Sequence, residues 1–390
     1  MNGFRAKLDY ILKHNQVISS VFRACGSLFF RFIGLFLKTD EKAVLFSAHN
    51  RGYNDSSRTI YERMLELSYF NDYKLYWGLE NPDNIDIPGN CIKIQADTWE
   101  YFITALKCKY WITCVNIERS LKFKKKDTVY LNTWHGTPFV YVGNLAAGRN
   151  DFDFSYIDFF CVDGEYSKML SQKAFNVDPN HMLFTGPPKD DELYNANEYD
   201  YRRIRKKLGI PEDKIVILYV PTWRDSDDGG KTYSLKPPID INYWRKELGD
   251  DYVILLRTHP YTNNLLGVVF DNFVRDFTLY PNINELMIAT DIMVSDYSSI
   301  MFDFAILNKP MFAYAYDYDE YKVRRGGFIL DPNDALIDGI IRNEESLIRK
   351  IKGCDFKIEG EKTKAFHDKY VQFGGNATDK CIEALFGINI

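Results

Sequence analysis

The stretch DIMVSDYSSIMFDFAILNKPMFAYAY, residues 291–316, decides the fold. It reads as a short apolar strand that stops at Ser295, a helix from Ile300 to Leu307, and a second apolar strand beginning at Pro310. Strand, helix and strand in that order imply neighbouring parallel strands with helices covering both faces of the sheet. The same alternation runs outward. KIVILYVPTW (214–223), YVILLRTHP (252–260) and FVRDFT (273–278) are β-rich runs, and a helical stretch spans Ile283 to Ala289. Nearer the N-terminus, AVLFSA (43–48), KLYWGL (74–79), CIKIQ (91–95), YWITCV (110–115), TVYLNTW (128–134), IDFFCVDG (157–164) and HMLFTGPP (181–188) form an earlier series, with helices over 57–69 and 98–107. The polar stretch DDELYNANEYDYRRIRKKLGI (190–210) separates the two series. An α/β protein of two doubly wound, Rossmann-like domains is therefore expected, over 41–195 and 196–360, facing one another across a cleft. A helical tail over 361–390, running from Lys362 to Phe386, is long enough to cross back onto the first domain.

Length and composition agree with two cores. A chain of 390 residues exceeds what one core usually serves, and 28 Phe and 27 Tyr supply large apolar side chains. The formal charge of −5 excludes the polycation that coats nucleic acid, so an anionic small molecule must be met by local cations. The seven cysteines (Cys25, Cys91, Cys108, Cys114, Cys161, Cys354 and Cys381) are odd in number and form no CxxC pair, which fits a reducing compartment. Acidic runs at 225–228 and 317–319 lie in turn-like text and read as solvated loops, so neither a metal nor a cofactor is expected.

The segment VISSVFRACGSLFFRFIGLFLK (17–38) resembles a spanning or signal sequence only at first sight. Arg23 and Arg31 interrupt it, and no small-residue cleavage site follows. Phe22, Phe29 and Phe36 recur every seven residues beside Val21, Leu28, Phe32 and Leu35, while the serines and arginines take other faces. That pattern describes an amphipathic helix over the first 40 residues. With Arg5, Lys7, Lys13 and Lys38 nearby it suits an anionic membrane surface; the alternative is a helix packed on the protein's own core.

Five places carry candidate chemistry. In 291–316, Ser298 and Ser299 stand at a helix start after a parallel strand, where free amides, the positive dipole end and hydroxyls suit phosphate oxygens. Asp303, one turn further on, can accept hydrogen bonds from a ligand's hydroxyls or pair with a cation. In LNTWHGTPF (131–139) the strand breaks and exposes His135 beside Gly136, a place for phosphate contact or proton transfer. Arg257 and His259 repeat this arrangement in the second domain. Pro221 and Thr222 end that domain's first strand, and Arg224 follows, either as a diphosphate clamp or paired with Asp225 or Asp227. Asp55 precedes a helix, as its cap or as a general base at the first domain's carboxyl edge.

Taken together, WHGTP (134–138), GPPKDD (186–191), PTWR (221–224), RTHP (257–260) and SDYSSIMFDFAILNKP (295–310) resemble the CDP-glycerol glycerophosphotransferase family, the teichoic-acid primases and polymerases, in order and spacing. The likeness runs from about Phe46 to the C-terminus and is most specific between Asp291 and Gly327. It implies a GT-B fold, a CDP-alcohol donor held mainly by the second domain, a lipid-diphosphate-linked acceptor near the first, and peripheral attachment at the cytoplasmic face of the membrane. By matching positions the donor site comprises Trp134, His135, Gly136, Thr137, Pro138, Pro221, Thr222, Arg257, Thr258, His259, Ser298, Ser299 and Asp303. Two departures stand out. A basic residue usual after HGTP is replaced by Phe139-Val140, and a Gly-Pro-Arg turn becomes Gly186, Pro187, Pro188 and Lys189, which keeps the charge but loses the fork.

The reaction so implied moves a polyol phosphate, glycerol phosphate first, from the CDP-alcohol to an acceptor hydroxyl during teichoic-acid or capsule-type synthesis, with CMP leaving. His135 or Asp55 takes the proton, while Arg257, His259, Ser298 and Ser299 neutralise phosphate oxygens without metal. Nucleic acid is not a partner, and homo-oligomerisation is left open. A GT-B glycosyltransferase using a nucleotide sugar and a non-catalytic scaffold of the same fold are the competing readings.

Overall fold

Two all-parallel sheets organise the chain in the computed structural model, which describes residues 16–222, 224, 239–258 and 269–390. The first contains β1 (Asp40–Ser47), β2 (Lys74–Leu79), β3 (Ile92–Gln95), β4 (Cys108–Thr113), β5 (Val129–Asn132), β6 (Phe159–Val162) and β7 (Met182–Phe184), ordered β3-β2-β1-β4-β5-β6-β7. The second contains β8 (Ile215–Tyr219), β9 (Tyr252–Leu256), β10 (Val274–Asp276), β11 (Ile292–Ser295) and β12 (Met311–Ala313), ordered β10-β9-β8-β11-β12. Strand order reverses between β1 and β4 and again between β8 and β11. Loops leaving the carboxyl ends at such a point diverge, which opens a crevice for ligands. This is the GT-B arrangement of two Rossmann-like sheets.

The strands read as continuous apolar runs because both faces of each sheet are covered. In β1, Leu45 points into one cluster with Trp111 and Tyr130, while Val44 and Phe46 point into another with Tyr61 and Trp77. In β8, Val216 and Leu218 face one core and Ile217 and Tyr219 the other. The helices that matter for the site are α1 (Gln16–Gly34), α2 (Asp55–Glu66), α3 (Trp99–Lys107), α4 (Glu165–Phe175), α5 (Ile300–Ala305), α6 (Phe356–Tyr370) and α7 (Ala377–Phe386).

The C-terminal segment is two helices rather than the single one expected from Lys362 to Phe386. The break contains Gly374, where an added Cβ would stand 2.0 Å from the Tyr194 ring. α6 buries Phe366 and Tyr370 in the second domain's core, whereas α7 buries Cys381, Ile382 and Leu385 in the first domain's core. Arg63 of α2 grips Asp379 of α7 at 2.7 Å. The tail thus ties both domains together.

The N-terminal helix α1 packs on the first domain by one face only. Phe30 meets Phe102 and Phe123 at 4.9 and 5.3 Å, and the Ser27 hydroxyl accepts from the Lys122 amide at 2.9 Å. Its other face leaves Val21, Phe22, Leu28, Phe29 and Phe32 exposed, and Leu35 and Phe36 in the turn that follows are exposed as well. No helix among the described residues is long and apolar enough to cross a membrane.

Candidate active site at the facing sheet edges

Each candidate side chain lies just past the carboxyl end of a strand. His135 follows β5, Asp55 and His49 follow β1, Lys189 follows β7, Pro221 and Thr222 follow β8, Arg257 and Thr258 follow β9, and Ser298 and Ser299 follow β11. The two edges meet at Gly136. Its φ of +148° suits glycine, and a Cβ there would stand 2.8 Å from the Ser299 hydroxyl oxygen. The His135 loop of the first domain therefore abuts the phosphate-type helix start of the second.

The His135 ring donates from Nδ1 to the Cys114 carbonyl at 2.9 Å, because a carbonyl can only accept. The neutral ring then carries its lone pair on Nε2, as a general base requires. Burial pulls the imidazole below its ordinary pKa, with His49 reinforcing the shift and the Cys114 bond and Asp55 opposing it. Asp55 is the first residue of α2, and one of its carboxylate oxygens accepts from the Ser56 amide at 2.7 Å. It also lies close enough to His135 to act on its charge.

Next to them lies a buried cluster of charge. The Lys189 ammonium meets Asp303 across the domain boundary at 2.6 Å and Asp190 at 2.8 Å. Burial works against the charge on Lys189, but Asp190 and Asp303 outweigh it and hold the ammonium protonated. Burial, then the neighbouring Asp303, pushes the Asp190 carboxyl up. Asp163 accepts from the Thr137 hydroxyl at 3.0 Å, and its other oxygen has no hydrogen-bond partner among the described residues. Asp303 therefore takes its cation-pairing alternative, with Lys189 as the cation.

On the second domain, Arg257 rests its guanidinium on the Phe277 and Tyr280 carbonyls at 3.0 and 2.6 Å. No carboxylate pairs with it among the described residues, and burial lowers its pKa. That is a cation aligned by dipoles and open to an anion. The Ser298 hydroxyl accepts from the Ile300 amide at 3.4 Å, while the Ser299 hydroxyl points toward Gly136.

Several expected contacts turn out otherwise. Arg224 is not a diphosphate clamp: its fork is filled by Asp317 at 2.6 and 2.9 Å, Asp296 at 2.8 Å and the Thr222 carbonyl at 2.7 Å. Asp317, expected in a solvated loop, is the buried counter-ion. The Thr222 amide and hydroxyl both bind Asp296, at 2.8 and 2.5 Å, so this threonine shapes the loop rather than offering its hydroxyl. The Trp134 ring packs 4.2 Å from Phe175, and the Pro138 carbonyl accepts from Tyr166 at 3.0 Å. Phe139, where the resemblance led to the expectation of a basic residue, is fully buried against Phe302 at 4.8 Å. His259 lies outside the described residues, as do Asp225 and Asp227.

Sequence reasoning missed Asp163, Asp190, Asp296, His49 and Cys114. All but His49, which directly follows AVLFSA (43–48), lie in a motif already quoted, and three follow a strand end directly: Asp163 after β6, Cys114 after β4 and Asp296 after β11. That position is the signal that would have found them.

Residues 28–387 match the family model described as CDP-glycerol:poly(glycerophosphate) glycerophosphotransferase. The chain is 34% identical over 84% of its length to a teichoic acid poly(glycerol phosphate) polymerase of Staphylococcus epidermidis, and spans 48% of that protein. It is 32% identical over 87% of its length to a teichoic acid glycerol-phosphate transferase of Staphylococcus aureus, and spans 91% of it. A variant of the wall teichoic acid polymerase TagF, solved after soaking with CDPG, superposes with a TM-score of 0.80 at 29% identity, covering 98% of this chain and 97% of that one.

Proposed function

Because the chain belongs to the CDP-glycerol:poly(glycerophosphate) glycerophosphotransferase family, we propose that it transfers glycerol phosphate from CDP-glycerol to a hydroxyl of a lipid-linked acceptor and releases CMP. The close approach of Gly136 to Ser299 carries this reading, since it sets a base-ready imidazole beside hydroxyls and a helix start suited to phosphate. The acceptor oxygen attacks the phosphorus bearing the glycerol, the bond to CMP breaks, and Nε2 of His135 takes the acceptor proton. Asp55 is the alternative base. Arg257, Ser298 and Ser299 spread the developing charge, with His259 assigned the same task. Positioning and charge neutralisation are what such a displacement asks of a protein.

The exposed apolar stripe of α1 gives the enzyme a seat on the cytoplasmic face of the membrane, where a lipid-linked acceptor would be met. The assay is CMP release from CDP-glycerol, CDP-ribitol and UDP-sugars, each with a lipid-linked disaccharide, beside a His135→Ala control. CMP release from CDP-glycerol that vanishes in the control supports the assignment. UDP release would keep the fold and replace the donor.

A further inference from the structure

A second polar cavity, of about 650 Å³, lies on the flank of the first domain between α1, the loop over 144–153 and the end of α4. That volume is within the roughly 300–1,000 Å³ typical of ligand sites. It is separate from the sheet edges described above. α4 begins after β6 at the cleft and ends at Phe175, so the cavity residues Gln172 and Lys173 stand about 10–16 Å from that edge at a 1.5 Å rise per residue.

The rim is built. Arg23 of α1 pairs with Asp151 at 3.1 Å, Lys122 pairs with Asp153, and the Asn144 carboxamide clasps the Phe152 backbone at 2.7 and 2.9 Å. These bonds consume both lining carboxylates. Among the described residues Lys173 is then left as a cation without a carboxylate partner, and the side chains of Gln172 and Asn150, which also line the cavity, have no hydrogen-bond partner. Lone cation and free carboxamides together suit a ligand bearing both phosphate and hydroxyl groups. Phe152 contributes an apolar surface of the kind on which the C–H face of a sugar ring rests.

Two features tie the cavity to the rest of the molecule. Ser20, Arg23, Ala24 and Ser27 line it at helical spacing, so α1 turns its polar face to the cavity and its apolar stripe away. A helix lying in a membrane interface by that stripe would hold the cavity at headgroup depth. Inward, Phe152 packs on Phe175 at 5.6 Å, Phe175 on Trp134 at 4.2 Å, and Trp134 on His135 at 4.3 Å. A continuous aromatic wall joins the cavity to the base.

We propose that this cavity binds the phosphate-bearing saccharide headgroup of the membrane-anchored acceptor, remote from its reacting hydroxyl. The inference rests on the reading that the acceptor is lipid-linked. Holding the anchored end here leaves the distal end to reach His135, and binding energy gained away from the reacting atoms positions those atoms.

The test is calorimetric titration of a short-chain prenyl diphosphate carrying a disaccharide into the wild-type protein, Lys173→Glu, and an Asn150→Ala/Gln172→Ala double variant. CDP-glycerol is titrated into the same samples. The expected result is a probe Kd raised about tenfold or more by Lys173→Glu and severalfold by the double variant, with CDP-glycerol affinity unchanged in both. A probe Kd equal to wild type in both variants, or no binding of the probe to wild type, overturns the proposal. So does loss of binding to phosphatidylglycerol vesicles in Lys173→Glu with an unaltered probe Kd, which would make the cavity a phospholipid site. Failure of wild type to bind CDP-glycerol would sink the donor assignment alone, because the probe titration contains no donor.

Discussion

Replacing Lys189 by methionine removes the only cation that the Asp190 and Asp303 carboxylates share at the domain boundary among the described residues. The Lys189 side chain is 12% exposed and its partners 4% and 15%, so the pair is buried enough to escape most solvent screening. Breaking a buried pair from one side costs about 3–5 kcal/mol, since the partner charge stays behind. For a domain of 150–250 residues that corresponds to a fall in Tm of about 6–20 °C. The sign of the pH dependence follows from linkage. Without Lys189 the two carboxylates hold protons more tightly in the folded than in the unfolded chain, so the variant gains stability as pH falls from 7 toward about 4. In wild type burial and Asp303 already raise the Asp190 carboxyl, but the Lys189 ammonium opposes that rise, so the gain is smaller than in the variant. Thermal unfolding of both proteins at pH 7 and pH 5 should show a deficit that narrows at the lower pH. A deficit under about 1 kcal/mol at pH 7, or one that does not change with pH, would refute the assignment of Lys189 as the cluster's neutralising cation.

His135→Ala should lower kcat by about 10²–10⁴ while CDP-glycerol binding measured by calorimetry survives, and the wild-type acid limb should fall below the ordinary histidine pKa because burial lowers it. Unchanged turnover would pass the role of base to Asp55. Gly136→Ala should cut activity at least tenfold with little change in fold by circular dichroism, because the new methyl meets the Ser299 hydroxyl at 2.8 Å. Arg224→Met should behave as a stability variant, lowering the unfolding free energy by about 3–5 kcal/mol in denaturant titrations because Asp296 and Asp317 are orphaned. Phe32→Glu/Phe36→Glu should abolish co-sedimentation with anionic vesicles and leave Tm within about 2 °C of wild type, since both side chains are exposed at 61% and 74%.

The alternation of strands and helices was legible because it is a local property of the chain. Val44, Leu45 and Phe46 are apolar in unbroken succession since each faces one of two covered cores. Helix Ile283–Ala289 and the start of α5 at Ile300 match the sequence expectation to the residue. The break between α6 and α7 was not legible, because Gly374 is demanded by the ring of Tyr194, 180 residues earlier in the chain. The amphipathic pattern of α1 was equally plain, yet the choice between burial and exposure was not, and the helix divides its faces between the two.

The sequence by itself determined that His135, Arg257 and Ser298 sit at strand ends, for that follows from where each apolar run stops. Only the tertiary structure decided their partners. Lys189 reaches Asp303 across 114 residues and Arg224 reaches Asp317 across 93, and no local pattern records such a pairing. The physical reason is that a charged side chain near a buried edge takes whichever counter-ion the folded sheets bring within reach. That choice made Arg224 a structural residue and left Arg257 with its charge unpaired among the described residues.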